Sequence, residues 1–417
     1  MALTTQQQTK AYRIYLAYNF IIETAYSLVF TFSSVYLVQV ARLDPLQLVL
    51  VGTALEASVF LFEIPTGVVA DTYSRRLSVI IGVFLMGGGF VLLGLVPIFI
   101  PVLLAQLFWG IGFTFTSGAQ QAWISDEIGE ENAPSAYVRG MQLGSLGSFT
   151  GTIIAAGLGN LALHIPILGG GALFFLLGFG LVLLMPEDGY HPTPPAERST
   201  FQQMWGTLRN GTQMIRRRPA LVSILLIGFV FGVYSEGYDR LWVAHMLERF
   251  TFPALGALST VTWFAVIRAA GMLLNAGAAE LVNRKLDLGK TRRLAWMLAV
   301  NSAALLICLV AFALGRWFGL AVGLTIAIRV IRTVNDPLYT AWVNHRLDPS
   351  TRATVISMSS QVDALGQIAG GPLVGLIARQ VSLQAGLLAS AVLLSPILVL
   401  FGIQLKGKGE DAAADPA

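Results

Sequence analysis

Cysteine occurs once, at Cys308 inside an apolar run, so neither an internal disulfide nor a dithiol redox motif is available. Histidine is confined to His164, His191, His245 and His345, too scattered for metal-ligand spacing. There is no Gly-x4-Gly-Lys-Ser/Thr loop and no Gly-x-Ser-x-Gly elbow, which argues against nucleotide-driven pumping and against serine hydrolysis; an enzyme is not expected. Charged side chains are scarce too, at 12% of the chain, whereas 55% is hydrophobic and 43 of 417 residues are glycine. With a mean hydropathy of +0.69, the chain belongs in a membrane rather than in water. The net charge of +4 comes from basic residues in short loops, so nucleic acid is not expected as a partner. The residues through Lys10 are polar and lack a cleavable leader pattern, so no signal peptide is expected.

A helix needs about 20 apolar residues to cross the hydrocarbon. By that measure there are twelve spans, at 12–39, 46–71, 77–98, 101–126, 136–163, 166–186, 220–246, 254–283, 291–314, 317–344, 352–380 and 382–405. They are continuously apolar rather than alternating, and only helices or closed barrels satisfy the backbone in lipid, so an all-α integral membrane protein is predicted. Placing the N-terminus in the cytoplasm puts nineteen of the 27 Lys and Arg on that side and only Arg42, Arg249, Arg316 and Arg379 outside. The positive-inside rule then sets both termini in the cytoplasm of a cell inner (plasma) membrane. A Pro-rich stretch closing in Arg216-Arg217-Arg218 divides the chain into 1–186, a linker 187–219 and 220–417. The middle of the linker reads as an amphipathic surface helix over 201–215, or alternatively as a tether.

Charges inside spans are costly and usually face a partner or a cavity. The acids are Glu23, Glu56, Glu63, Glu236, Asp239, Asp336 and Asp363; the arginines are Arg240, Arg268, Arg329 and Arg332. Acids outnumber arginines, so some should be protonated part of the time or neutralised by a cation. Glu23 sits about 16 Å into the first span at 1.5 Å per residue, with Asn19 and Tyr26 a turn either side and no arginine beside it in sequence. Glu23 and Glu56 are the leading proton carriers, against the alternative of paired or protonated packing residues; Glu236 and Asp239 are further candidates. Glu236, Asp239 and Arg240 stand at i, i+3 and i+4 and can pair locally. Arg329, Arg332 and Asp336 share a face of the tenth span, as an ion-pair network or as contacts to an anionic substrate. Arg268 is read as the partner of an acid on another helix or as a substrate contact. Among the many aromatics, Trp263 is the first choice for a flat, lipophilic ligand.

Glu63-Ile-Pro-Thr-Gly-Val-Val-Ala-Asp-Thr-Tyr-Ser-Arg-Arg-Leu77 carries an apolar span into Asp71, Arg75 and Arg76. It resembles the Gly-x-Leu-Ala-Asp-Arg-x-Gly-Arg-Lys loop of the major facilitator superfamily, matching at Gly67, Ala70, Asp71, Arg75 and Arg76 and departing at Val69, Thr72 and Ser74, where the family has its second glycine. An internal repeat supports a duplicated architecture. Ala122-Trp123 precedes Gln142-x4-Gly147-x3-Gly151 by 19 residues, and Ala341-Trp342 precedes Gln361-x4-Gly366-x3-Gly370 by 19. Ala70-Asp71-x3-Arg75 likewise has a copy at Ala279-Glu280-x3-Arg284. Phe62–Gly67, Ser117–Asp126 and the stretch from Arg352 through Gln361–Pro372 resemble drug:proton antiporters of the tetracycline- and macrolide-efflux type. Gln106 stands where many proton-coupled members have arginine, and the fifth span lacks their proline.

The resemblance implies two pseudo-symmetric six-helix bundles that alternate access to a substrate site. In it Asp71, Arg75 and Asp126 gate the inner mouth, and Glu280 with Arg284 does so in the second half. The expected function is proton-coupled, multidrug-type efflux of amphipathic organic compounds by a secondary transporter, with a proton gradient and no cofactor. Membrane lipid and a small-molecule substrate are the expected partners of a monomer. The alternatives are a symporter or facilitator of a small, anionic metabolite, and a non-transporting membrane sensor.

Overall fold

The computed structural model describes residues 4–190, 219–254, 260–285, 291–345 and 349–406. The expected linker helix over 201–215 lies outside them, as do the side chains of Glu280 and Arg284. Every described element is helical. Span one is α1 (Thr5–Phe30) and α2 (Ser33–Gln39), followed by α3 (Pro45–Thr72) and α4 (Arg75–Leu95). Span four is α5 (Phe99–Thr116) with α6 (Ala119–Ile128), and α7 (Ala133–Gly159) and α8 (His164–Leu184) complete the first six. The second six begin with α9 (Pro219–Arg249), α10 (Thr260–Lys285), α11 (Thr291–Leu314) and α12 (Phe318–His345). They end with α13 (Pro349–Gln380), α14 (Leu383–Leu394) and α15 (Pro396–Lys406).

Each of the twelve apolar runs is therefore mainly helical in its described residues, and local chemistry explains several of their ends. Asp44 caps α3 reciprocally with Gln47 at 3.0 Å, with Pro45 in the first turn, where a missing N–H is harmless. Span four breaks at Gly118, whose φ of 73° is left-handed and suits glycine. The last span breaks at Ser395, before Pro396.

Nine helical stretches in the described residues are long and apolar enough to cross a bilayer. Of the other three long helices, α10 is apolar over Thr260–Asn275, and α7 and α13 are built around packing glycines. On α7, a Cβ at Gly147 or Gly151 would strike the carbonyl oxygen of Phe20 or Thr24 on α1. On α13, a Cβ at Gly366 or Gly370 would strike that of Phe229 or Val233 on α9. Small residues every four positions let the backbones touch, and polar contacts stitch the first seam: Thr24 Oγ1 donates to Gly147 O at 3.1 Å, and the Ser27 and Ser148 hydroxyls are 2.6 Å apart.

The chain forms two compact units, Met1–Thr207 with Phe252–Ala269, and Leu208–Thr251 with Ala270–Ala417. Phe32, Phe90, Trp123 and Phe174 fill the core of the first; Tyr234, Phe312, Trp342 and Phe401 fill that of the second. Large apolar side chains such as Leu183 (81% exposed) and Val392 (68%) face outward, which lipid tolerates and water would not.

Candidate functional site

The turn between α3 and α4 holds the first polar cluster. Ser74 has φ −173°, extended backbone open to any residue, so the glycine of the family pattern is not required here. Its hydroxyl accepts from Leu77 N–H at 2.9 Å as the cap of α4 and donates to Glu187 Oε2 at 2.7 Å. Arg75 makes a short ion pair with Asp126 on α6 and lies 3.9 Å from Asp71. Residues 186–190, just after α8, are laced onto this pair. Glu187 Oε1 accepts the Arg76 N–H at 2.8 Å, Trp123 Nε1 donates to Pro186 O at 2.7 Å, and the fully buried Glu127 accepts the Gly189 N–H at 2.7 Å. The Tyr190 hydroxyl donates to Asp71 O at 2.9 Å, its ring lies 5.8 Å from the Arg75 guanidinium, and burial, aided by Glu187, pushes its hydroxyl pKa upward.

In the interior of the first unit, α1 carries Glu23 half-buried beside Gly144 of α7, whose Cβ would come within 3.2 Å of the Glu23 side chain. From sequence, Glu23 has no arginine beside it; in the structure Arg268 contacts the same helix one turn on. The stretch 252–269 belongs to this unit, and Arg268 from it reaches α1 one turn beyond Glu23, with Nη2 3.3 Å from Ser27 Oγ and Nη1 3.5 Å from Phe30 O. Sequence reading offers Arg268 as the partner of an acid on another helix without saying which, because Glu23 and Arg268 are 245 positions apart. Asn19 donates to the Tyr15 carbonyl of its own helix at 2.8 Å. Tyr26 donates to Met86 Sδ at 2.8 Å and packs among Phe30, Phe90 and Phe174, with Trp109 4.7 Å from the Phe30 ring centre. These rings fill the interior of the unit around Tyr26. Glu56 and Glu63 are half-buried on α3.

The second unit is different. Two adjoining cavities, of about 410 and 330 Å³, share Asp239, Arg332 and Asp336 in their walls. Arg332 of α12 grips Asp239 of α9 through two bonds of 2.5 and 2.9 Å. The sequence spacing offers Asp336, one turn away, as the partner; the bidentate fit to Asp239 across the helix pair takes Arg332 instead, leaving Asp336 exposed in the larger cavity. Glu236 and Arg240 pair at 2.8 Å, as their i, i+4 spacing suggests. Asp363 of α13 also faces the larger cavity and accepts from Gln367 Nε2 at 2.9 Å. Arg329 and Asn275 line the smaller one, with Tyr238 and Trp242. Trp263 lines neither cavity; its indole N–H donates to Pro253 O at 2.8 Å.

The first unit thus carries an Asp–Arg hairpin and the second a polar, ion-paired cavity. The sequence profile of the Major Facilitator Superfamily matches residues 15–330. The chain belongs to that superfamily. As a member of the superfamily it is a multi-pass membrane transporter rather than an enzyme. It is 22% identical over 370 residues, 88% of this chain and 90% of the other, to the uncharacterized MFS-type transporter YxaM of Bacillus subtilis (strain 168). Among solved structures it resembles a mutant form of the nucleoside transporter NupG with a TM-score of 0.77 at 15% identity, covering 95% of this chain and 100% of that one. It also resembles the peptide transporter POT in complex with sulfate, with a TM-score of 0.73 at 13% identity over 95% and 94% of the two chains. These likenesses establish the fold.

Sequence reading missed Glu127, Glu187 and Tyr190 around the hairpin, and Asn335, Tyr339 and Ser359 in the larger cavity. The first three carry no local motif, because they are recruited by where α8 ends in space. The last three lie at helical spacing from Arg332 or Asp363, so the face they share with those charges was the available signal.

Proposed function

We propose that this protein is a proton-coupled secondary transporter that exports amphipathic organic compounds from the cell by alternating access. The observation that supports it best is the chamber of the second unit. There, Asp336 and Asp363 face open space while Arg332 is already neutralised by Asp239. Carboxylates without an arginine of their own, in a cavity walled by Tyr234 and Phe231, suit a ligand that is positively charged and lipophilic, or a proton in its place. Protonation of Glu23 or Glu56 would then trade against substrate binding, so that proton entry drives release. No cofactor takes part, and the transporter works as a monomer in the inner (plasma) membrane with both termini in the cytoplasm.

In that orientation the Asp71–Arg75–Asp126 cluster, tied down by 186–190, closes the inner mouth in one state and parts in the other; partly buried ion pairs at a moving contact can favour one state without preventing the other. Glu280 and Arg284 would serve the second half in the same way. A second reading, proton symport of an anionic metabolite, draws on Arg329, which is not ion-paired among the described residues.

The test is pH inside acid-loaded inverted vesicles while lipophilic cations, tetracyclines, macrolides and organic anions are added one at a time. Antiport predicts alkalinisation triggered by a cationic or amphipathic compound and abolished in Asp71→Asn. No response to any compound, together with pH-dependent uptake of a labelled anion by intact cells, would overturn export in favour of symport.

A further inference from the structure

One face of α12 carries Arg329, Arg332 and Asp336 at i, i+3 and i+7. The middle charge is cancelled, because Arg332 is clamped by both oxygens of Asp239. The two end charges are not: among the described residues neither Arg329 nor Asp336 makes an ion pair. Arg329 and Asp336 both line the smaller cavity, and Asp336 also lines the larger one that adjoins it. Seven residues of helix set their backbone positions roughly 10 Å apart on nearly the same azimuth. The cavity that holds both charges is otherwise walled by the Arg332–Asp239 pair, the rings of Tyr238 and Trp242 and neutral polar side chains, and Tyr234 lines the adjoining one.

We propose that this chamber takes an elongated zwitterion, with its anionic group at Arg329, its cationic group at Asp336 and a lipophilic segment across the neutralised Arg332–Asp239 pair. This rests on the reading of the second-unit chamber as the substrate site and narrows its substrate class. A cation alone would leave the Arg329 guanidinium without a counter-charge, and an anion alone would leave Asp336 so; a zwitterion satisfies both within a low-dielectric site. The clamp also has a role in selection. Arg332 held by Asp239 cannot draw the anionic group to the centre, so a ligand whose charges are adjacent, such as an α-amino acid, cannot meet both ends.

The test is binding to the purified full-length protein in lipid nanodiscs, read by the shift in melting temperature and by competition. The probes are ω-amino carboxylates carrying an aryl spacer, graded to bracket the roughly 10 Å span, beside the matching amines and carboxylates that lack the second charge. Wild type is expected to bind the matched-length zwitterion roughly tenfold or more tightly than either single-charge analogue. Arg329→Gln should remove that advantage over the amine while leaving amine affinity in place, and Asp336→Asn should do the converse with the carboxylate. Equal affinity for amine and zwitterion, no dependence on spacer length, or no binding of any probe would overturn the inference. Binding needs no proton gradient, so a positive result with silent vesicles would sink antiport and keep the zwitterion site, whereas cation-driven alkalinisation with no zwitterion preference would do the reverse.

Discussion

The two units share a scaffold and differ in what they put inside it. Both use a helix with glycines four apart to press against their first span, Gly147 and Gly151 on α1 in one, Gly366 and Gly370 on α9 in the other. Beyond that seam the first unit packs Tyr26, Phe30, Phe90, Trp109 and Phe174 into a ring cluster. The second leaves a chamber and lines it with paired and unpaired charges. Duplication thus preserved the backbone contact, which tolerates only small residues, and freed the interior positions to divide the labour. In our reading the first unit carries proton chemistry and the hairpin, and the second carries the ligand.

The largest expected effect lies where the units are alike. Gly151→Val and Gly370→Val would each drive a side chain into a carbonyl oxygen, that of Thr24 and of Val233 respectively. Each should cost about 3 kcal/mol or more and remove the monodisperse peak in size-exclusion chromatography. Survival of one and loss of the other would break the equivalence of the seams. Next comes the chamber. Asp239→Asn strands Arg332, and because these side chains are 40% and 35% exposed the loss should be roughly 1–3 kcal/mol, below the range for a fully buried pair. Adding Arg332→Gln should restore part of the melting temperature. Glu23→Gln in the first unit, which removes a charge rather than a clamp, should change stability by less than about 1 kcal/mol. Equal losses in the two units would contradict their division.

Smaller effects belong to the hairpin, which only the first unit shows among the described residues. Glu187→Ala removes acceptors for Ser74 and the Arg76 N–H and should lower stability by about 1 kcal/mol, read as a shift in thermal melting. Tyr190 gives the smallest. Its folded pKa lies above the unfolded value, so its contribution is fully present below the unfolded pKa and is lost as pH rises through the folded one. Alkaline melting curves of Tyr190→Phe should therefore lack a small destabilisation that wild type shows above the ordinary tyrosine range.

Helix number, the hairpin and the glycine repeat were legible in the sequence because each rests on a local rule: run length, a short charged motif, small residues at period four. Glu236–Arg240 was legible for the same reason. The Arg332–Asp239 clamp was not, since helical spacing offered Asp336 equally well and only the α9–α12 approach decides between them. The approach of Arg268 to Ser27 was likewise hidden, being a contact between distant parts of the chain. At Ser74, where the family pattern has glycine, the extended φ calls for a cap residue and not for conformational freedom.

The exchange of proton for substrate is tested most directly by counting protons released into weakly buffered solution when the purified protein binds a lipophilic cation or the matched zwitterion. Wild type should release protons on binding, and the Glu23→Gln, Glu56→Gln double variant should bind without release. Undiminished release from the double variant, or none from wild type anywhere in the neutral range, would contradict the account.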